Sequence, residues 1–292
     1  MVILTCLLSV CSCGGGSKMD ARFQQIDTLC DTLPTEAIRL LDSIDRTGLS
    51  EKDLNRSRLL WIKSRDKAYI AHMSDTLILD VVDYYAGHRR EGLYPEALYY
   101  GGRVYSDLGD LPTALEFFQK SLDEIPEDEA HLPFKSTVLN QTGRLLHALR
   151  LDSAAIGYLE KSLQIRPAKN VNDAGTAFTH SLIASSFRRQ KNIVKARKHI
   201  DEAVRLSYLL HESDRQTIQS EFAEMLYHEG KIDSALLIIR PLPPIVDSIT
   251  TPYCLALAAN IYKDAGILDT AYIYARMLTR LKAPSNKDQV IR

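Results

Sequence analysis

No stretch of this chain alternates apolar and polar residues for long enough to read as a half-buried β-strand. Eleven prolines and fourteen glycines are few for 292 residues, and they fall mostly between segments whose apolar residues recur every three or four positions. Both absences point to an all-α chain. Neither sign of charge dominates, since 36 Lys and Arg face 37 Asp and Glu; there is no basic field to hold a nucleic-acid backbone. Three of the five cysteines crowd the first thirteen residues, so no disulfide framework can run through the folded part. Cys30 and Cys254 read as small buried hydrophobes. Catalytic signatures are also missing. The eight histidines are scattered without a His-Glu-x-x-His motif, there is no Cys-x-x-Cys, and Gly14-Gly15-Gly16 lacks the Gly-Lys-Ser/Thr of a phosphate loop. The acidic cluster Asp123, Glu124, Glu127, Asp128 and Glu129 lacks calcium-loop spacing and reads as a solvated linker. The expectation is a protein without catalytic residues, metal or cofactor, and not an enzyme.

The longest apolar run at the start, Met1 to Val10, is too short to cross a bilayer and has the length of a signal-peptide core. It ends in Val10-Cys11-Ser12-Cys13 and then Gly14 to Ser17. This string resembles a bacterial lipobox, in which a small residue precedes the cysteine that receives the lipid. The resemblance implies a signal segment over residues 1–13, acylation at Cys13 and a flexible tether over 14–19. Cys11 is the alternative acceptor, with Val10 a poorer fit before it than Ser12 is before Cys13. No Lys or Arg precedes the apolar run. Several acyl chains on one cysteine anchor durably, because each buried CH₂ adds about 0.8 kcal/mol.

What the chain has in abundance is repetition. Small residues recur at Gly102, Gly143, Ala184, Ala223 and Ala259, separated by 41, 41, 39 and 36 residues. Three residues after each stands a bulky apolar side chain: Tyr105, Leu146, Phe187, Leu226 and Tyr262. Twelve residues after each stands an alanine: Ala114, Ala155, Ala196, Ala235 and Ala271. Phe118, Leu159, Ile200, Ile239 and Ala275 follow four residues later, and Ser121, Ser162, Ala203, Leu242 and Leu278 three further on. A small residue on each of two successive helices lets their axes approach closely. The turn between them falls at Gly109, Arg150, Lys191, Gly230 and Gly266, where a left-handed residue would end the first helix. Asp110, Asp152, Asp233 and Asp269 follow closely as candidate caps of the second helix.

The set Leu98, Gly101-Gly102, Tyr105, Gly109, Ala114, Phe118, Ser121 and Pro126 resembles the tetratricopeptide repeat, and so does Gly143, Leu146, Ala155, Leu159, Ser162 and Pro167. The spacing exceeds that family's repeat of about 34 residues. The clearest repeats are 95–128, 136–169, 177–210, 216–245 and 252–283. Upstream, Pro34 to Ile44 reads as an amphipathic helix, and Leu54–His72 with Ser74–His88 as a pair whose core includes Trp61, Tyr69 and Val82. The upstream strings, with Tyr84-Tyr85, resemble the solenoids of Bacteroidetes tetratricopeptide lipoproteins and of repeat-containing regulators. The resemblance implies a right-handed α-α superhelix of about seven helix pairs over 20–292.

It also implies a function. Such solenoids present the first helix of each pair to a concave groove that binds a protein or peptide. Carried over by position, the groove would be lined by Tyr99, Arg103, Asn140, Arg144, His147, Ser185, Arg188, Arg189, Glu224 and Tyr227, with the arginines making its centre basic and suited to carboxylates. The expectation is a lipid-anchored scaffold of the cell envelope, on the outer membrane or the periplasmic face, binding protein partners and no nucleic acid. The alternative is the sensory part of a longer signalling regulator.

Overall fold

The computed structural model describes residues 18–166, 173–241 and 251–282. Cys13, Pro167 and Leu242 lie outside them. The described residues form fourteen α-helices and no strand. They pair in chain order: α1 (Lys18–Thr32) with α2 (Pro34–Asp42), α3 (Glu51–Lys67) with α4 (Thr76–Gly87), and α5 (Tyr94–Asp107) with α6 (Leu111–Glu124). These belong to one compact unit that ends at Ile125. A second unit starts at Pro126. It pairs α7 (Leu132–Ala148) with α8 (Asp152–Ile165), α9 (Ala174–Arg189) with α10 (Ile193–Leu206), α11 (Glu212–His228) with α12 (Ile232–Ile239), and α13 (Thr251–Asp264) with α14 (Leu268–Lys282).

The spacing of small residues is explained by contact. Gly102 lies under the Phe118 ring, and a Cβ there would come within 2.4 Å of it. Gly143 lies under Leu159, at 2.6 Å. Ala114, Ala155, Ala196, Ala223 and Ala235 are fully buried, and Ala184 and Ala271 nearly so. Ala259 is half-buried. The serine that ends each early repeat ties the two helices together: Ser121 Oγ donates to the Pro95 carbonyl at 2.7 Å and Ser162 Oγ to that of Ser136 at 2.8 Å.

All five inter-helix turns hold a left-handed residue. Gly109, Gly230 and Gly266 have φ of 80°, 76° and 76°, and Arg150 and Lys191 take the same conformation at 62° and 61°. The caps differ from expectation. Asp110 accepts from the Thr113 amide at 3.2 Å, but Asp152, Asp233 and Asp269 sit inside the first turn of their helices, where a carboxylate favours the helix dipole. Asn192 caps α10 through the Lys195 amide.

Upstream, α1 starts at Lys18, inside the segment read as tether. Phe23, Ile26 and Cys30 recur on one face of it and pack with Ala37, Leu41, Ile44 and Leu60. Cys30 is fully buried and hydrogen-bonds Ser64 at 3.1 Å. Tyr69 is not core: it follows the end of α3 in a left-handed turn (φ 56°) and is 97% exposed. Helix α3 stops at Lys67 because that turn lifts the chain off its axis.

Candidate functional site

First helices carry all the residues expected to line a groove, and the structure joins most of them into polar links to the neighbouring pair. Partners stand about one repeat apart in sequence; most links join two first helices, while Arg189 reaches back to Asp152 in the first turn of α8.

In the first unit, Arg103 on α5 donates through Nε to Asp66 Oδ1 of α3 at 2.6 Å. Lys63 on α3 reaches Asp27 of α1 at 2.7 Å and Glu96 of α5 at 3.8 Å. Burial opposes the Lys63 charge, but Glu96 and Asp27 outweigh it and its pKa is raised. Burial also raises that of Glu96, against the pull of Lys63 and Arg56. Tyr99 is buried, its ring against those of Tyr100 and Phe118. It belongs to the core more than to a binding face.

In the second unit, Asn140 Nδ2 donates to Thr179 Oγ1 at 2.7 Å. Arg189 forks onto Asp152, with Nε 2.9 Å from Oδ1, and its Nη2 donates to His147 Nδ1 at 2.7 Å. Burial and the Arg189 charge hold the His147 pKa down at about 4. The ring is therefore neutral and offers a lone pair to the guanidinium. Arg188 lies 2.9 Å from Glu224. Tyr227 Oη donates to Asp264 at 2.6 Å. Arg144 and Asn260, in matching positions on α7 and α13, are exposed, and Ser185 between them on α9 is half-buried.

These contacts change the electrostatic reading. Arg103 in the first unit and Arg188 and Arg189 in the second each face a carboxylate, so neither set is the unpaired basic group expected from the arginines alone. Asp66, Asp152, Glu221 and Asp264 were missed as site residues. Their signal was present: each stands 37 to 40 residues from its partner, one repeat along.

Glu221 on α11 is the most perturbed carboxyl of this set. It accepts a hydrogen bond from Ser181 Oγ of α9. Burial pushes its pKa up from 4.5 to about 7, with Glu224 adding to the rise and Ser181, Arg188 and Arg189 opposing it. Among the described residues no group of three or more His, Cys, Asp or Glu is placed to hold a metal ion, and no helix is long and apolar enough to cross a membrane.

No protein-family model matches the sequence, and no curated protein is recognisably similar to it. Solved structures are similar in fold. The apo form of the quorum sensor NprR from B. thuringiensis aligns over 91% of this chain and 76% of its own, with TM-score 0.66 and 12% identity. A Rap protein complexed with Competence and Sporulation Factor aligns over 91% and 77%, with TM-score 0.65 and 13% identity. PilF of Pseudomonas aeruginosa aligns over 89% and 93%, with TM-score 0.54 and 14% identity. Paired helices, close approach at glycine and alanine, and these likenesses together make the fold that of a tetratricopeptide-like helical solenoid.

Proposed function

We propose that this protein is a scaffold that binds an extended protein segment along the face of its first helices, and that it is tethered to the cell envelope through lipid on Cys13. The observation that carries the binding reading is the arrangement of α7, α9, α11 and α13. Exposed or half-buried polar residues (Ser185, Asn260) alternate there with polar links that fix the helix faces, which gives an extended chain hydrogen-bonding positions at repeat spacing. The fold likeness to a Rap protein complexed with Competence and Sporulation Factor supports a peptide-sized partner. The anchor rests on the Ser12-Cys13 string.

Site-specific photocrosslinking tests the binding reading. A crosslinker at position 144 or 260 should capture partners in native membranes that the same group at Glu160 or Lys198, on second helices, does not. Equal capture from both sets removes the first-helix face as the binding surface. The anchor is tested separately by metabolic labelling with a palmitate analogue. Label should depend on Cys13, and label retained in Cys13→Ala removes that assignment.

A second reading, the sensory part of a longer regulator, is favoured by the fold likeness to a quorum sensor. Partner capture that requires a small peptide in the medium supports it over a constitutive scaffold.

A further inference from the structure

Three of the five turns inside helix pairs place glycine in the left-handed conformation, and the other two place Arg150 and Lys191 there. A side chain in that conformation costs stability that glycine avoids. These two turns therefore carry a cation at the expense of the fold, and such strain concentrates where a site uses it.

The two turns are neighbours. Arg189 pairs with Asp152, and Gln190 Nε2 donates to Ser153 Oγ at 3.0 Å, which holds the α9–α10 turn against the start of α8. Beside Arg150 stands Leu151, 52% exposed, and just after Lys191 stand Ile193 and Val194, 43% and 83% exposed. Lys195 follows, with Nζ 5.2 Å from the centre of the Phe187 ring. Arg150, Lys191 and Lys195 are exposed, and among the described residues none of them has a carboxylate at ion-pair distance. Asp152, the acid of these turns, is half-buried and already neutralised by Arg189. The patch is thus positive and apolar at once.

That combination points to one class of partner. Cations without partners attract anions, and neighbouring aliphatic side chains left in water gain by entering an apolar phase. An anionic bilayer supplies both at matching depths, phosphates at its surface and acyl chains just beneath. Long Arg and Lys side chains reach back to the phosphates while the shorter aliphatic ones go deeper. A nucleic-acid strand would meet the charge but leave the aliphatic residues in water, because its bases are held by aromatic stacking.

We propose that the adjacent α7–α8 and α9–α10 turns dock on an anionic phospholipid surface, with Arg150, Lys191 and Lys195 at the phosphates and Leu151, Ile193 and Val194 entering the acyl region. Docking does not depend on lipid at Cys13, so the test uses the full chain carrying Cys13→Ala, which keeps the two ideas apart. This protein should co-sediment with vesicles of phosphatidylcholine and phosphatidylglycerol. Arg150→Gly/Lys191→Gly relieves the left-handed turns and leaves the fold intact, yet should weaken vesicle binding about 25-fold, at roughly a factor of five for each cation near an anionic surface. The same loss of charge in Arg276→Gln/Arg280→Gln, toward the far end of α14, should leave it nearly unchanged. Leu151→Ser/Val194→Ser keeps every charge and should weaken binding at least about tenfold. Trp61 is the only tryptophan of the chain, so Val194→Trp in a Trp61→Phe background reports depth, and lipids brominated on the acyl chain should quench it. The proposal is overturned by vesicle binding that Arg150→Gly/Lys191→Gly does not change, by an equal loss in the α14 variant, or by a Val194→Trp probe that is not quenched. Full binding by the serine variant overturns it too, as charge attraction alone. Absent vesicle binding, with protein capture in membranes lost in Arg150→Gly/Lys191→Gly, overturns it in favour of an acidic protein surface.

Discussion

Replacing Glu221 with glutamine should make the protein more stable at pH 8 and leave it nearly unchanged below pH 4.5. In the folded chain burial raises this carboxyl from 4.5 to about 7. Between those values the folded protein keeps a proton that the unfolded chain has released. The stability linked to Glu221 is therefore fully present below about pH 4.5 and is lost as pH rises through 7. At about 1.4 kcal/mol per pKa unit, the loss above pH 7 is on the order of 3 kcal/mol. Glutamine does not ionise, and its carbonyl still accepts from Ser181 Oγ, so the variant escapes the loss. The wild-type profile alone does not isolate the effect, because burial lowers the pKa of His147 and His199 to about 4 each. Those groups lose stability in the opposite direction, as pH falls below 6.5. The decisive quantity is the difference between Glu221→Gln and wild type in urea midpoint, followed by helical circular dichroism from pH 4.5 to 8.5. It should grow with pH and level off above 7. A constant offset across that range refutes the buried-carboxyl reasoning.

Three further outcomes follow from the same contacts. Arg150→Gly and Lys191→Gly should each raise the melting temperature, since a side-chain-bearing residue at φ near 60° costs roughly 1–2 kcal/mol and glycine returns part of that as unfolded-state entropy, for a net gain of about 0.5 kcal/mol. Gly102→Ala and Gly143→Ala should each lower the unfolding free energy read by urea titration by about 1–3 kcal/mol, although alanine is the better helix former, because the new Cβ meets Phe118 or Leu159. Arg189→Met should cost about 1–3 kcal/mol by leaving Asp152 without its partner, and should raise the His147 pKa toward its ordinary value by removing the largest charge that depresses it, an effect read by imidazole NMR titration.

The parts of this fold that were legible in sequence are those set by backbone proximity. Where two helix axes must approach, only a small residue fits, so Gly102 with Ala114 and Gly143 with Ala155 leave a spacing that any side-chain scale detects. The left-handed turns were legible for the same reason at glycine, and the register carried the reading to Arg150 and Lys191, where composition alone would have missed it. Helix α1 was hidden by its polar composition, although Phe23, Ile26 and Cys30 already marked one buried face. Tyr69 misled because an aromatic residue at the end of an apolar pattern looks like core, and only the turn at φ 56° turns it outward.

Charge pairing was the least legible feature, and it bears most on binding. A groove of unpaired arginines would attract any acidic segment, with affinity that falls steeply with salt. Arg103, Arg188 and Arg189 instead face Asp66, Glu224 and Asp152. Removing such partly buried charges to meet a ligand would break pairs that already hold helix to helix. On the proposed reading, recognition along the first helices comes from hydrogen bonds and shape at residues such as Ser185 and Asn260. Partner capture through this face should accordingly survive a rise from 0.1 to about 0.5 M salt, over which the Debye length falls from roughly 10 to 4 Å. Capture lost over that range means that unpaired charge, and not the polar frame described above, does the binding.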